Sequence, residues 1–86
     1  MKLHNNRAVY FTPKDMDRFI GANIVGEKVN VIVLRTQSVT MKALHSREVT
    51  YGIPTYIAFI NDEMWFYPIP DRDYELRLRY HVFKEV

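Results

Sequence analysis

Within residues 74–83, near the end of the chain, apolar and polar residues alternate strictly as far as Val82. A two-residue period is the pattern of a strand that buries one of its faces. We therefore predict a strand there, with one packed face and one charged face. The apolar positions are Tyr74, Leu76, Leu78, Tyr80 and Val82, and the positions between them are Glu75, Arg77, Arg79 and His81.

A β-hairpin is predicted at residues 55–61 and 63–67. Both runs are rich in β-branched and aromatic residues, and they meet at Asn61 and Asp62. Both turn residues tolerate positive φ. The register that follows pairs Ile60 with Glu63, Ala58 with Trp65, and Tyr56 with Tyr67. One face is then wholly apolar and is predicted to be core: Ile57, Phe59, Met64 and Phe66. The other face suits a partly wet surface or an interface, and it carries Tyr56, Ala58, Ile60, Trp65 and Tyr67.

Residues 68–71, Pro-Ile-Pro-Asp, end the hairpin and turn the chain, because proline cannot donate to a ladder. Together with the strand at 74–83, the hairpin predicts a C-terminal three-stranded meander. Residues 27–35 alternate valines with residues that are also largely apolar, which favours a central strand. Residues 8–11 predict a short edge strand.

A helix of about two turns is predicted after Thr12. Thr12 can cap it, Pro13 suits the first helical position, and the negative charge of Asp15 is favourable near the positive end of the helix dipole. Three apolar residues follow at helical spacing before a stop at Gly21, namely Met16, Phe19 and Ile20. Residues 37–48 suit a strand or a short amphipathic helix, and we favour the helix. The predicted fold class is α+β, a small antiparallel sheet of four or five strands with one or two short helices.

Length and composition predict one small domain over residues 1–86, with 48% hydrophobic and 26% charged residues. The chain has no cysteine, which removes disulfides, thiol nucleophiles and thiolate metal sites. It shows no signal peptide and no apolar run of the roughly 20 residues that a membrane span needs. We therefore expect a soluble protein made inside the cell. A net charge of +2, with +4 in residues 1–50 and −2 in the rest, is a weak basic bias.

No catalytic or metal-binding constellation is recognisable, so we predict no enzyme, no metal and no cofactor. The three histidines lie far apart without the spacing of a metal site, and they are His4, His45 and His81. The carboxylate pairs at 62–63 and 71–73 fall at predicted turns, where aspartate is favoured for its local hydrogen bonds. Neither serine lies in a nucleophile elbow, and the three glycines do not form a phosphate loop.

Five residues are predicted to form an interface. Tyr56, Trp65 and Tyr67 share the aromatic face of the hairpin, and large aromatic residues dominate interface energetics. Burial of this face under the N-terminal helix is an equally weighted alternative. Arg77 and Arg79 form a charged stripe on the last strand, for which an ordinary solvated face is favoured and a subunit contact is the functional alternative.

The order of these segments resembles a pattern in head–tail connector and tail adaptor proteins of tailed bacteriophages. It runs through Gly52-Ile53-Pro54-Thr55-Tyr56, Trp65-Phe66-Tyr67-Pro68-Ile69-Pro70-Asp71 and Tyr74-Glu75-Leu76-Arg77-Leu78-Arg79-Tyr80, and it covers about a third of the chain. Many such adaptors carry a larger helix-rich N-terminal region, where this chain has one short helical signal, so a smaller relative, a truncated reading frame and a different virion part built on the same meander are all consistent with the resemblance. The resemblance implies an assembly role, in rings between portal and tail or in completing the tail, and it brings no catalytic residues.

Three functions follow from these observations. The first is a virion structural or assembly protein of a tailed phage or prophage, made in the bacterial cytoplasm, which docks onto portal, adaptor or tail subunits and onto itself in a ring. The second is a single-stranded nucleic-acid-binding module with aromatic stacking on a basic sheet, which the low net charge disfavours. The third, a small regulatory or toxin-like protein, rests on size alone.

Overall fold

Strands dominate the computed structural model, which describes residues 1–33, 41, 43, 45, 46 and 49–83. The predicted α+β class is wrong, because 58% of the described residues are in strands and the described part contains no complete helix. The strands are β1 (Lys2–Leu3), β2 (Val9–Phe11), β3 (Met16–Ile24), β4 (Val29–Val33), β5 (Tyr51–Gly52), β6 (Tyr56–Ile60), β7 (Glu63–Tyr67), β8 (Ile69–Pro70) and β9 (Tyr74–Val82).

Seven of these strands form one curled sheet in the order β1-β9-β3-β4-β6-β7-β2, and β5 pairs with β8 in a separate two-stranded ribbon. The sheet is larger than the four or five strands predicted. Neighbouring strands of the large sheet are antiparallel except β4 and β6, which run parallel. A parallel pair requires the chain to return to the same end of the sheet between its two strands. The sheet is therefore two antiparallel blocks joined at one parallel seam.

The core lies on one side of the curled sheet, which we call the inner face. Each of the seven strands contributes to it, which explains how so short a chain closes a single core. Its buried members are Leu3, Tyr10, Ala22, Ile24, Val31, Ile57, Met64, Phe66, Tyr74 and Leu76. The opposite side of the sheet is called the outer face.

The hairpin prediction is confirmed in its turn, its register and its faces. β6 and β7 pair Tyr56 with Tyr67, Ala58 with Trp65, and Ile60 with Glu63. Asn61 has a φ of 55°, the left-handed conformation that asparagine tolerates better than most residues. The apolar face lies in the core, where Ile57, Met64 and Phe66 are fully buried and Phe59 packs against them.

The predicted strands at 8–11, 27–35 and 74–83 are also present, as the edge strand β2, the interior strand β4 and the long strand β9. The predicted meander is wrong, however, because β9 pairs with β3 and β1 and not with β7. Between β7 and β9 the chain leaves the large sheet, since β8 pairs with β5. The last strand then joins the other antiparallel block.

The predicted helix after Thr12 is wrong, because these residues form a turn and then β3. The Met16 N–H donates to the Pro13 carbonyl at 3.1 Å, so one helix-like turn forms and does not continue. β3 pairs with β9 through Met16–Val82, Phe19–Tyr80, Ala22–Leu78 and Ile24–Leu76, with register shifts between Met16 and Arg18 and between Phe19 and Gly21. Each bulge adds one residue. The first inward positions therefore recur every third residue, which imitates helical spacing.

Residues 37–48 lie largely outside the described part of the chain. Met41, Ala43, His45 and Ser46 are described, and all four have helical backbone. These four positions do not define where the helix favoured for this segment begins or ends.

Candidate interaction surface

The aromatic face of the hairpin, Tyr56, Trp65 and Tyr67, is half-buried on the outer face of the sheet. Trp65 and Tyr67 pack against a small second cluster of three buried residues, Met41, Ala58 and Ile60. No N-terminal helix covers this surface, because β3 occupies that part of the chain. The alternative that an N-terminal helix buries this face is therefore wrong, because that helix does not form. The aromatic rings are nevertheless half-buried.

His45 lies against the same aromatic face. Its Nε2–H donates to the Phe66 carbonyl oxygen at 2.9 Å, and its ring centroid lies 5.1 Å from Trp65 and 6.3 Å from Tyr67. Burial lowers the pKa of His45 below its ordinary value of 6.5, and the hydrogen bond to Phe66 opposes that shift in part. Burial against the hairpin thus disfavours the charged form of His45.

Tyr56 and Tyr67 stand side by side at the open end of the hairpin. The two residues are direct cross-strand partners, and the Tyr67 hydroxyl donates to Thr50 Oγ1 at 3.0 Å. On its other side Tyr56 is paired with Ile32 of β4, whose side chain is 54% exposed. Because directly paired residues share a face of a sheet, Ile32 extends the aromatic face towards β4.

Four basic residues form the second part of the outer face. Arg77, Arg79 and His81 point outwards from β9 and are exposed, and the exposed Arg18 of β3 is paired with His81. We call Arg18, Arg77, Arg79 and His81 the basic strip. Sequence analysis found the two arginines of β9 but missed Arg18, because a helix was predicted at its position.

Gly21 decides where the side chain of Arg79 lies. The two residues are paired, and a Cβ atom on Gly21 would lie 3.0 Å from Arg79 Nη2. The guanidinium group therefore rests over the backbone of β3, in space that any larger residue would occupy. Because glycine has no side chain, the charged group of Arg79 can lie near the middle of the outer face.

The two parts of the outer face meet in a single row across five strands. Arg79 is paired with Gly21, Ile32 with Tyr56, and Tyr56 with Tyr67. The last pair of the β3–β4 ladder is Ala22 with Val31, and Gly21 and Ile32 are the residues that directly follow this pair on the two strands. The row Arg79, Gly21, Ile32, Tyr56 and Tyr67 is called the outer row, and its four strand spacings measure roughly 19 Å along the sheet.

The structure thus brings three of the five predicted interface residues into one line, with Trp65 and Arg77 in the neighbouring rows. Ile32 is the member that sequence analysis missed. Its alternation with Val31 and Val33 assigned it correctly to the face opposite the valines, but an interior strand was expected to be covered on both faces. Only the strand order shows that the outer side of β4 at Ile32 is more than half exposed.

The carboxylates and histidines weighed as chemical groups have structural partners or lie apart. Asp71 accepts a hydrogen bond from the Tyr74 hydroxyl, and Asp73 accepts one from the Asn5 N–H at 2.9 Å. The bond from Asn5 lowers the pKa of Asp73. Within the described ranges, no three His, Cys, Asp or Glu residues are grouped to hold a metal ion, and no polar or charged residue is buried.

Comparison with known proteins adds no relative to this picture. No protein-family model, curated protein or solved structure matches the chain. In the part of the chain that the structure describes, no helix has the length and apolar character to cross a membrane.

Proposed function

We propose that this protein is a virion structural or assembly component of a tailed phage or prophage, a head–tail connector or tail adaptor that docks on other subunits through its outer face. The outer row carries the proposal. It places an arginine, an exposed isoleucine and two tyrosines in one line. Arginine and tyrosine are enriched among the residues that dominate interface energies.

Resemblance supplies the biological setting of the proposal. The segment from Gly52 to Tyr80 has the order of proline, aromatic hairpin and alternating strand that resembles phage connectors and adaptors. The partners are then portal, adaptor or tail subunits, together with further copies of this chain in a ring. In a ring each contact is repeated by symmetry, so a weak contact per subunit suffices for a stable assembly.

The test is recovery of partners from a lysate of the source cells by the tagged full chain, read by mass spectrometry, with and without nuclease. We expect portal, tail or capsid subunits in both arms. Recovery of other proteins only would remove the virion setting. Recovery that disappears with nuclease would favour a nucleic-acid binder.

A pair of isoleucines provides the matched variants for this experiment. Ile32 lies in the outer row and is 54% exposed, while Ile20 is 55% exposed at a bulge of β3 outside that row. Ile32→Lys should reduce recovery about tenfold or more, because a desolvated lysine costs more than 1.4 kcal/mol. Ile20→Lys should leave recovery unchanged, and thermal unfolding of both variants checks the fold. Equal recovery by both variants would contradict docking through the outer row.

Single-stranded nucleic acid is the second candidate partner. One observation favours it, namely that Tyr56 and Tyr67 share the outer face with the basic strip. Aromatic rings beside arginines are the elements of a base-stacking platform. Anisotropy of a labelled oligonucleotide at low and high salt tests this function, because phosphate contacts weaken steeply with salt.

A further inference from the structure

Within the described part of the chain, strand β9 has a long edge that no other strand pairs with. β3 pairs with it along one side, from Leu76 to Val82. On the other side β1 covers only Tyr74 and Glu75, and Met1 exchanges two backbone hydrogen bonds with Leu76, at 2.7 and 3.0 Å. Beyond Leu76, residues 77–82 have no strand partner on that side among the residues described.

The backbone groups that face this edge follow from the alternation of the strand. Leu76 points its N–H and C=O towards β1, whereas the Glu75 carbonyl and the Phe83 N–H bond towards β3, at 2.9 and 3.1 Å. Since successive residues of a strand point their backbone groups to opposite sides, Leu78 and Tyr80 present theirs to the open edge. An added strand would continue the line of β1.

A groove runs along the same edge. Its volume is about 620 Å³, and its lining includes the apolar residues Met1, Pro13, Val25, Leu76, Leu78 and Tyr80 together with Glu75 and Arg77. Leu78 packs on the core and Tyr80 donates its hydroxyl to Asp15 Oδ1 at 3.1 Å. The inward side chains of an added strand would therefore meet a mainly apolar surface.

The outward side chains of an added strand would meet a basic surface. Arg77, Arg79 and His81 stand on the outer face along the open edge, with Arg18 behind them on β3. Glu75 lies at the covered end, where its carboxylate is 3.4 Å from the amino nitrogen of Met1. Opposite charges on directly facing cross-strand residues stabilise a sheet, and like charges destabilise it.

A second copy of β9 does not satisfy this edge. Antiparallel pairing of residues 77–82 of two copies, with their outer faces on the same side, places Arg77, Arg79 or His81 opposite another of these basic residues in each register. Uncovered strand edges are sites of strand addition by other chains. The basic residues thus select a partner of opposite charge and disfavour self-pairing, which is a common way of protecting an edge.

We infer that the open edge of β9 binds an extended acidic segment of a partner protein, which adds a strand beside Leu78 and Tyr80. The segment alternates acidic residues, facing the basic strip, with apolar residues that enter the groove. This inference deepens the proposed docking function and rests on it for its biological partner. The edge chemistry itself is testable without a virion.

The test uses the full chain and a labelled peptide of four Glu-Val repeats, with a Lys-Val peptide of the same length as its counterpart. Fluorescence anisotropy at low salt should show that the Glu-Val peptide binds and the Lys-Val peptide does not. Arg77→Glu with Arg79→Glu should reduce affinity for the Glu-Val peptide about tenfold or more and allow the Lys-Val peptide to bind. Lys28→Glu, on an exposed residue between β3 and β4, is the control and should leave the order of the peptides unchanged.

Hydrogen exchange of the backbone separates strand addition from simple charge attraction. When the Glu-Val peptide binds, the amides of Leu78 and Tyr80 should exchange at least about tenfold more slowly, because they then donate hydrogen bonds to the peptide. Peptide binding that leaves these two amides at their free rates would overturn the inference, and so would the absence of binding.

Failure of this inference and failure of the proposed function are distinct results. Peptide binding with slowed amides, but no virion subunits recovered from lysate, retains the edge and removes the phage setting. Recovery of virion subunits that is sensitive to Ile32→Lys, without peptide binding, retains docking by the outer row and removes strand addition at β9.

Discussion

The hairpin β6–β7 and the strand β3 differ in how regularly their side chains alternate between the two faces of the sheet, although both contribute to one core. In the hairpin, each residue from Tyr56 to Tyr67 obeys a two-residue period around a single turn. In β3, two bulges interrupt the period, and the strand lies between β9 and β4. The hairpin is defined by its own sequence, whereas β3 owes its conformation to its neighbours.

The contrast between these two regions explains why a short sequence window can mislead. A bulge shifts the following side chains by one residue, so an inward face continues through irregular spacing. Met16, Phe19 and Ala22 lie at three-residue intervals and yet share one face with alternate residues of β9. Tertiary pairing therefore overrides a local pattern that by itself favours a helix.

Single-residue deletions should separate the two regions most sharply. Deleting Ala58 moves the residues on one side of it to the wrong face of β6, because a one-residue slip exchanges the two faces. We expect no cooperative unfolding transition for that variant. Deleting Ile20 removes one bulge residue and leaves Phe19, Gly21 and Ala22 in strict alternation, with a cost of about 1–3 kcal/mol.

Urea denaturation followed by Trp65 fluorescence measures both deletions. If the Ile20 deletion also abolished the transition, the bulge would be required for the fold and the contrast between the regions would fail. Intact folding of the Ala58 deletion would show that the hairpin register is less strictly fixed than its pairing indicates.

Truncation of the hairpin's central core residue should give the next largest effect. Phe66 is fully buried, and its ring lies 5.7 Å from that of Tyr10 in an edge-to-face contact. Phe66→Ala should lower the free energy of unfolding by about 3–5 kcal/mol. Ile20→Ala in β3 should change it by about 0.5 kcal/mol or less, because the side chain is 55% exposed. Similar losses for both variants in urea would contradict the assignment of Ile20 to the surface.

Acid should weaken the hairpin's contact with His45. The folded protein lowers the pKa of His45 below 6.5, chiefly through burial. The associated stability is complete above the unfolded pKa and is lost as the pH falls through the folded pKa, because the unfolded chain binds the proton more tightly. Urea midpoints measured from pH 8 to pH 5 should fall less for His45→Gln than for the unchanged chain.

The exposed His81 offers the control for this titration. His81→Gln should leave the acid-dependent loss of the unchanged chain in place. A pH profile that is the same with and without His45 would place the acid sensitivity elsewhere in the molecule.

The smallest effect on stability is expected at Gly21. Gly21→Ala brings a Cβ atom within 3.0 Å of Arg79 Nη2, which is the flexible end of a side chain and can move away. We expect a stability change within about 0.5 kcal/mol, together with a shifted Nε–H resonance of Arg79 in NMR spectra. An unchanged resonance would show that the guanidinium does not lie over β3 in solution.

Strands that carry their own pattern were predictable, and the arrangement of those strands was not. Alternation alone located β4, β9 and the hairpin, and the turn at Asn61 and Asp62 fixed the pairing of Tyr56 with Tyr67. The order of strands depends on contacts between distant residues, such as Ile32 with Tyr56 across the parallel seam. Because β7 and β9 are close in sequence, a meander was predicted. In the structure β8 leaves the large sheet to pair with β5, and β9 then pairs with β3 in the other antiparallel block.

The candidate surface was predictable in its residues and not in its continuity. The tips of Tyr56, Trp65 and Tyr67 were assigned to one face from the hairpin register, and Arg77 and Arg79 from the period of the last strand. Their connection through Gly21 and Ile32 requires three further registers across β3, β4 and β6. No local signal in the sequence specifies those registers.

The pairing of β1 with β9 has a consequence for how the protein is made. Lys2 lies opposite Glu75, while β2, only a few residues further along the chain, closes the opposite edge of the sheet. During synthesis, β1 must therefore wait for β9, which is translated last among the strands described. Proteins dominated by such distant pairings fold slowly, so β1 remains open to chaperones or to early partners until β9 has been made.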